Sequence, residues 1–278
     1  MKLGGLDIGS VYLGTNAVSS VYLGTNLVWS GMDADYQAIL DYATTQGYTL
    51  PSASQQALQN QLVVDLKDAG IWSKLDTFAV FATDGDSDFA LIDWKRLSQY
   101  TAFNSPTFTT DFGFNGDGAS SYIDTNFDLS NLTTKLITNQ ESISTGLYIP
   151  RDDSATTEYI LGNASDANFR LWSGNQTVAS NRYMGMRYDG DWSGTGLMSV
   201  HRIYNASAAN WKVYNNKTDV SVTATNGYSS ISGTNILIFR HLSTYNLNDS
   251  CSFFYSGDSL VTEISDFVDA LDNYYNAL

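Results

Sequence analysis

Short segments with the composition of β-strands follow one another through most of the chain, and this succession constrains the fold more than any other feature. The segments run from Phe78 to Tyr255, are rich in aromatic and β-branched residues, and are separated by clusters of Gly, Asn, Asp and Ser. One of them covers Phe89 to Trp94. Strands and turns at this spacing are typical of β-sandwiches. The sequence therefore predicts a mainly β protein.

Helical periodicity replaces the strand pattern at both ends of this region. Asp33 or Asp35 can cap a first helix and Ser52 a second, and a terminal helix is expected directly after Ser259. We therefore expect a hairpin of two helices before the sandwich and an amphipathic helix after it. The apolar residues at helical spacing are Tyr36, Ile39, Leu40, Ala43, Leu58, Leu62 and Leu66 in the hairpin, and Leu260, Ile264, Phe267, Val268 and Leu271 at the end.

The N-terminal segment contains a perfect repeat, SVYLGTN, at residues 10–16 and again at 20–26. In each copy a strand-forming tripeptide precedes Gly-Thr-Asn, whose glycine and asparagine tolerate the positive φ angles of tight turns. The repeat predicts a three-stranded meander, which is too small to enclose a core. We expect it to pack on strands of sister subunits or of a larger particle, or else on the domain that follows it. The residues assigned to assembly are Val11, Tyr12, Leu13, Val21, Tyr22 and Leu23.

The charge of the chain excludes one class of partner. Lys and Arg total 14 against 29 Asp and Glu, which gives a formal charge of −15 at pH 7. Such a chain repels a phosphate backbone, so we expect no nucleic acid among its partners. No apolar run approaches the roughly 20 residues that span a bilayer, and the N-terminus lacks the apolar core of a secretory signal. The sequence predicts synthesis in the cytoplasm without a signal peptide, and no membrane insertion.

Residues 257–260 read Gly-Asp-Ser-Leu, which resembles the nucleophile block of the GDSL hydrolases. That family places the block near the start of its domain and the catalytic histidine far downstream, whereas no histidine follows Leu260 here. A nucleophilic serine needs a base within hydrogen-bond reach, and His201 and His241 lie upstream. We therefore interpret Ser259 as the N-cap residue of the terminal helix.

A glycoside hydrolase requires a pair of carboxyl groups that flank the scissile bond. The chain has three glutamates, Glu141, Glu158 and Glu263, and they do not form the clustered acidic strand of the glucanases that share a sandwich fold. Aspartate pairs such as Asp189 and Asp191 are more typical of turns. The sequence predicts that the protein is not an enzyme, with a polysaccharide hydrolase as the distant alternative.

Asp84, Asp86 and Asp88 have the spacing that opens a calcium-binding loop. The sixth position is Phe89 where the EF-hand has glycine, and the twelfth is Lys95 where the EF-hand has glutamate. We expect no cofactor. A weaker Ca²⁺ site at the three aspartates and a solvated turn between two strands are the alternatives left open.

The segment YMGMRYDGDWSGTG, residues 183–196, combines aromatic rings and acids on a glycine-rich loop. Saccharide sites place an aromatic ring on the apolar face of the sugar and bind its hydroxyl groups with carboxylates, amides and backbone groups. Tyr188, Asp189, Asp191 and Trp192 supply both kinds of group and are the predicted glycan-binding residues. The alternative is that Trp192 seals the core or a subunit interface while the aspartates turn the chain.

Several pieces of the sequence resemble known proteins. The segments GFNGDGASSYID, WKVYNN and NILIFR resemble strands and turns of concanavalin-A-like lectin and laminin-G-like sandwiches. The segments GIWSKL, FAVFATDGD, LIDWK, VYLGTNLVWS and the closing FYSGDSLVTEISDFVDALDNYYNAL resemble structural proteins of tailed bacteriophages that carry such a sandwich. The resemblance implies a concanavalin-A-like jelly-roll sandwich on a virion, and it specifies no ligand.

The repeat, the helical periodicity and the strand pattern divide the chain into three parts, and the resemblance implies a function. Residues 1–30 would form an attachment ribbon, 31–76 a helical hairpin connector, and 77–278 the jelly-roll sandwich with its C-terminal helix. The protein would be a homo-oligomer, with a trimer favoured, that contacts other virion proteins. Its expected function is that of a tail or capsid appendage displaying a lectin-like domain to host-surface glycans. The alternative is a capsid decoration protein that packs against its neighbours and binds no glycan.

Overall fold

A six-stranded antiparallel sheet lies at the centre of the structure, with a second sheet packed on one face and helices packed on the other. The computed structural model describes residues 2–3, 6–7, 11–13, 16–18, 20–23, 26–128, 143–150, 158–163, 171–173, 195–202, 211–219, 234–241, 245–246 and 248–278. In this part of the chain no helix is long and apolar enough to cross a membrane.

The described residues of the N-terminal segment form three separate two-stranded hairpins. Leu13 pairs with Asn16 and Leu23 pairs with Asn26, so each copy of the repeat closes its own hairpin with two residues between the strands. The predicted three-stranded meander is therefore wrong, because its expected central strand is divided at residue 19 into two described strands, of which the first pairs with residues 11–13 and the second with residues 26–30. The strands are β1 (Lys2–Leu3), β2 (Leu6–Asp7), β3 (Val11–Leu13), β4 (Asn16–Val18), β5 (Ser20–Leu23) and β6 (Asn26–Ser30).

The helix hairpin has the caps that the sequence predicts. The carboxylate of Asp33 accepts the N–H of Asp35 at 2.9 Å, and the first helix ends at Gly47, whose φ of 80° suits glycine. The hydroxyl of Ser52 accepts the N–H of Gln55 at 3.3 Å and caps the second helix. The elements are α1 (Ala34–Gln46), α2 (Ala53–Asp68) and a 3₁₀ turn (Trp72–Lys74).

Among the residues that the structure describes, the remaining elements are short strands, one helical turn and a helix at the end. The first group is β7 (Leu75–Val80), α3 (Ser87–Ala90), β8 (Ile92–Asp93), β9 (Ser98–Gln99), β10 (Thr101–Phe103), β11 (Thr107–Thr109), β12 (Gly113–Asn115), β13 (Tyr122–Asp128) and β14 (Ile143–Ile149). The second group is β15 (Glu158–Asn163), β16 (Leu171–Ser173), β17 (Gly196–Arg202), β18 (Trp211–Asn215), β19 (Thr218–Asp219), β20 (Asn235–Ile238), β21 (Arg240–His241), β22 (Tyr245–Asn246), β23 (Ser250–Cys251), β24 (Phe253–Asp258) and α4 (Ile264–Tyr275).

One predicted strand begins as a helix instead. The carboxylate of Asp86 accepts the N–H of Phe89 at 2.8 Å and caps α3, so Phe89 is helical. Strand β8 then covers only Ile92–Asp93. The prediction of a strand from Phe89 to Trp94 is wrong in its first half, because an aspartate N-cap favours a helical turn over an extended chain.

Two sheets stack to form the sandwich. The central sheet has the order β19-β18-β17-β14-β24-β7, and the outer sheet has the order β10-β13-β20-β15-β16. All seven residues of β14 are buried, because this strand is covered on both faces. The prediction of a mainly β jelly-roll sandwich with an N-terminal ribbon, a helix hairpin and a C-terminal helix is confirmed.

Each face of the central sheet has its own apolar core. The core between the two sheets includes Phe81, Phe114, Ile123, Leu147, Leu161, Met198, Ile236, Ile238 and Phe254. The core between the central sheet and the helices includes Tyr36, Ile39, Leu62, Leu66, Phe78, Leu197, Phe253, Tyr255, Phe267 and Leu271. The helix hairpin and the terminal helix therefore share one core with the sheet.

A buried side-chain amide joins the three helices of this layer to the sandwich. Gln59 on α2 is fully buried; its Oε1 accepts the hydroxyl of Tyr36 at 2.7 Å. Its Nε2 donates to the hydroxyl of Tyr274 at 3.0 Å and to Thr83 Oγ1 at 3.1 Å. Tyr274 in turn donates to the carbonyl of Ala82 at 2.7 Å. Buried polar groups require such partners, so this network fixes how the helices dock.

Candidate functional site

The structure describes the residues predicted to bind metal but not those predicted to bind glycan. Tyr188, Asp189, Asp191 and Trp192 lie outside the described residues. Asp84, Asp86 and Asp88 are described, and each accepts hydrogen bonds from its own chain. Asp84 accepts the N–H of Ser52 at 2.9 Å, and Asp86 accepts the N–H of Thr49 at 2.6 Å. Asp88 accepts a hydrogen bond from Nε2 of Gln99 at 3.2 Å.

These three carboxylates act as caps and loop anchors. Asp86 caps α3 and also holds Thr49, which lies between the two helices of the hairpin. In the described part of the chain, no group of three or more His, Cys, Asp or Glu side chains is placed to hold a metal ion.

The Gly-Asp-Ser-Leu segment lies at the end of β24, next to a buried histidine. Nδ1 of His201 accepts the N–H of Leu260 at 3.1 Å, and its Nε2 lies 2.9 Å from Oγ of Ser199. Because Nδ1 is an acceptor, the neutral ring carries its proton on Nε2 and donates it to Ser199. A histidine that activates a serine has the opposite polarity and accepts the hydroxyl proton.

Ser259 itself is not a helix cap. Helix α4 begins at Ile264, and the residue at the N-cap position is Glu263. The Oγ atom of Ser259 is buried and has no hydrogen-bond partner in the described part of the chain. The N-cap interpretation is therefore wrong, because residues 261–263 form a turn between Ser259 and the helix. Glu263 forms an ion pair with Lys74 at 2.6 Å.

Two stacked aromatic rings, one exposed and one half-buried, lie on the outer sheet. Phe103 on β10 lies directly opposite Tyr122 on β13, and their ring centroids are 4.8 Å apart at an interplanar angle of 10°. Phe103 is nevertheless 40% exposed. The guanidinium carbon of Arg240 lies 4.4 Å from the centroid of the Tyr122 ring. Cross-strand pairing therefore places a flat apolar surface at the edge of the sandwich.

Polar groups continue this surface along the same two strands. Side chains at alternate positions share a face, so Thr101 lies beside Phe103 and Asp124 beside Tyr122. Thr101 and Asp124 are themselves paired across the strands. We call the surface formed by Phe103, Tyr122, Thr101, Asp124 and Arg240 the Phe103 face.

A rigid polar loop borders the Phe103 face and leads directly into β13. We call residues 116–121 the Asp117 loop, after the carboxylate that holds it together. Oδ1 of Asp117 accepts the N–H groups of Ala119 at 2.9 Å, Ser120 at 2.7 Å and Ser121 at 2.8 Å. Burial raises the pKa of Asp117, but the hydrogen bonds from these backbone N–H groups lower it by more. The pKa of Asp117 therefore lies well below its ordinary value. The loop therefore carries a fixed negative charge at neutral pH.

Two asparagine side chains dock the Asp117 loop against its surroundings. Nδ2 of Asn104, the residue after Phe103, donates to the carbonyl of Ser120 at 3.0 Å. Nδ2 of Asn246 donates to the carbonyl of Ala119 at 2.6 Å. The loop is thus tied to the end of β10 and to β22. Its exposed residues form a polar rim whose position relative to Phe103 is set by hydrogen bonds.

The sequence does not predict the Phe103 face, although it predicts one of the two strands that form it. The sequence predicts the strand at Tyr122 and the turn before it, but not strand β10. Thr101–Phe103 is short, all three of its residues are exposed, and it lacks the alternation of a half-buried strand. Only the pairing of β10 with β13 brings Phe103 onto Tyr122.

Comparisons with known proteins give similarity at the level of the fold. No protein-family model matches the chain, and no curated protein matches it. A mutant of Trypanosoma rangeli sialidase with trans-sialidase activity has 11% identity and a TM-score of 0.48, with 79% of this chain and 39% of that chain covered. Domain 4 of AbnA, a GH43 extracellular arabinanase from Geobacillus stearothermophilus, in complex with arabinotriose, has 15% identity and a TM-score of 0.42. The match covers 70% of this chain and 98% of the arabinanase domain. The HCR/D W1238A mutant has 11% identity and a TM-score of 0.46, and the match covers 73% of this chain and 53% of that chain.

These structures correct one expectation from the sequence. The prediction that the protein is not an enzyme is contradicted, because sialidases and a domain of an arabinanase are among the solved structures that resemble the chain. The chain spans 39% of the length of the sialidase mutant.

Proposed function

We propose that the protein binds glycans through the Phe103 face. The observation that supports this function is the exposed ring of Phe103 stacked on Tyr122. The apolar face of a pyranose ring packs on a flat aromatic surface, and hydrogen bonds at the rim then fix its orientation. The Phe103 face offers such a surface, with the Asp117 loop beside it.

The arrangement is prepared before a ligand arrives. Tyr122 and Phe103 are held by strand pairing, and the loop is held by Asp117, Asn104 and Asn246. A binding surface that is already ordered loses little conformational entropy when it binds. A ring and a rim fixed in this way favour recognition of a small rigid ligand such as a sugar.

The test is a glycan array probed with the full-length chain and with Phe103→Ala. We expect the variant to lose about tenfold in affinity for any bound glycan, because the stacking surface is removed. Leu278→Ala is the matched control, since Leu278 is also an exposed large apolar residue, at 38%. Equal binding by Phe103→Ala and the parent protein would overturn the assignment to this face. Assay of the bound glycans for released reducing ends distinguishes binding from hydrolysis.

The same array tests the loop named from the sequence. Tyr188, Asp189, Asp191 and Trp192 remain a proposed second set of glycan contacts. Trp192→Ala tests them independently of Phe103→Ala. Loss of binding in Trp192→Ala alone would assign the glycan site to that loop, and loss in both variants would assign it to both surfaces.

We also propose that the N-terminal hairpins attach the protein to a virion of a tailed phage, with the chain as a homotrimer. The support is the resemblance of the sequence segments, together with hairpins whose strands of two to five residues are too short to be stable alone. Immunogold labelling of purified particles tests the location. Sedimentation of the full chain tests the trimer, and a monomer at micromolar concentration would contradict it.

A further inference from the structure

The charges near the Phe103 face restrict which glycans can bind there. The Asp117 loop carries a carboxylate at one side of the face, and Asp124 lies on the face itself. The chain as a whole has a formal charge of −15. A ligand that approaches this surface therefore meets a negative potential.

Most cations of the described residues are already paired with acids of the same chain. In each pair the carboxylate offsets the positive charge of the cation beside it. The pairs are Lys67 with Asp33 and Asp35, Lys74 with Glu263, Arg96 with Asp93, Lys212 with Asp219, and Lys217 with Asp269.

Among the side chains that the structure describes, Arg240 is the cation at the Phe103 face, and it lies over the ring of Tyr122. With its guanidinium carbon 4.4 Å from the ring centroid, the cation makes a cation–π contact with the ring beneath Phe103. This contact supports the stack. Among the described side chains of the Phe103 face and the Asp117 loop, the carboxylates of Asp117 and Asp124 stand against the single positive charge of Arg240.

We infer that the ligand of the Phe103 face is an uncharged glycan, and that glycans carrying uronic or sialic acid carboxylates are disfavoured there. The inference rests on the proposed glycan-binding function. Stacking on Phe103 supplies affinity without requiring charge, and the surrounding carboxylates select against anionic sugars by repulsion.

The experiment compares two oligosaccharides that differ only by a hydroxymethyl group in one and a carboxylate in the other, titrated calorimetrically into the full-length protein. We expect the neutral sugar to bind about fivefold more tightly at low ionic strength, and the difference to disappear near 1 M salt, where charges are screened within about 3 Å. Asp124→Asn should reduce the difference. Asp68→Asn removes the same charge from an exposed position at the end of α2, on the helical side of the central sheet, and should leave the difference unchanged.

The possible outcomes test the charge of the ligand and the proposed glycan-binding function separately. Tighter binding of the carboxylated sugar, lost in Phe103→Ala, would overturn the inference and leave glycan binding in place. Equal affinities at low salt would also overturn it. If neither sugar binds in a manner that depends on Phe103, the proposed function itself fails at this face. A change of oligomeric state in Phe103→Ala, without sugar binding by the parent protein, would identify the face as a contact between copies of the chain.

Discussion

The backbone N–H of Leu260 donates a hydrogen bond to Nδ1 of the buried His201 at 3.1 Å. The contact joins β17 to the segment that leads into α4, and it requires a neutral imidazole, because a protonated ring has no acceptor. Tyr214 packs edge-on against the same ring, with a centroid distance of 5.2 Å. Protonation of His201 therefore removes the acceptor of this hydrogen bond.

Acid should destabilise the protein through this histidine. Burial lowers the pKa of His201 to about 3, whereas the unfolded chain has the ordinary value of 6.5. Below pH 6.5 the unfolded state binds a proton that the folded state does not, so stability present above pH 6.5 is lost as the pH falls towards 3. The expected loss is about 1.4 kcal/mol per pH unit.

Urea unfolding at several pH values between 7 and 5 measures this loss. His201→Gln removes the titrating group, so the difference in unfolding free energy between the parent and this variant should shrink as the pH falls. A difference that stays constant from pH 7 to pH 5 would contradict the assigned cause.

Gln59 should be the most sensitive polar position of the helix layer. Gln59→Leu leaves the buried groups of Tyr36, Thr83 and Tyr274 without their amide partner, and we expect a loss of about 2 to 3 kcal/mol in unfolding free energy. Gln61→Leu is the control, since Gln61 lies on the same helix and is exposed. Chemical denaturation measures both variants. Equal stability of the two would show that the network does not contribute to helix docking.

Asp93 should be similarly sensitive for an electrostatic reason. Its carboxylate is fully buried, forms an ion pair with Arg96, and accepts the hydroxyl of Thr77. Asp93→Asn leaves the Arg96 charge without its partner, and we expect a loss of about 3 kcal/mol. Asp88→Asn, at an exposed aspartate of α3, should cost less than about 1 kcal/mol. Thermal or urea unfolding that ranks the two variants in the reverse order would refute this argument.

The structure agrees with the sequence patterns most closely where the determining residues are neighbours in the chain. The caps at Asp33 and Ser52 were predicted correctly, because a cap is determined by residues a few positions apart. Local reasoning also failed where a second local signal competed, as when the Asp86 cap made Phe89 helical.

Contacts between distant segments were beyond the sequence pattern. His201 and Leu260 are 59 residues apart, and nothing in either segment indicates the hydrogen bond between them. The Phe103 face depends in the same way on the pairing of β10 with β13, which sets the register of Phe103 on Tyr122. Strand pairing is decided by the packing of the whole sheet, so a surface formed by two strands is not visible in either one.

Asp117 should control ligand binding by positioning the loop, without contacting the core. Asp117→Ala removes the acceptor for three backbone N–H groups, so the rim beside Phe103 loses its fixed conformation. We expect about a tenfold loss of glycan affinity, while the unfolding free energy falls by only about 1 to 2 kcal/mol, a loss typical of a removed capping side chain.

The conservative variant separates positioning from charge. Asn at position 117 keeps an oxygen that accepts the same N–H groups but lacks the negative charge. Asp117→Asn should therefore retain most of the affinity that Asp117→Ala loses, and the affinity for a carboxylated sugar should rise relative to its neutral counterpart. Calorimetric titration of both variants with both sugars provides the four affinities. If Asp117→Asn binds the neutral sugar as weakly as Asp117→Ala, the carboxylate charge rather than the conformation of the loop determines affinity, and the positioning role is refuted.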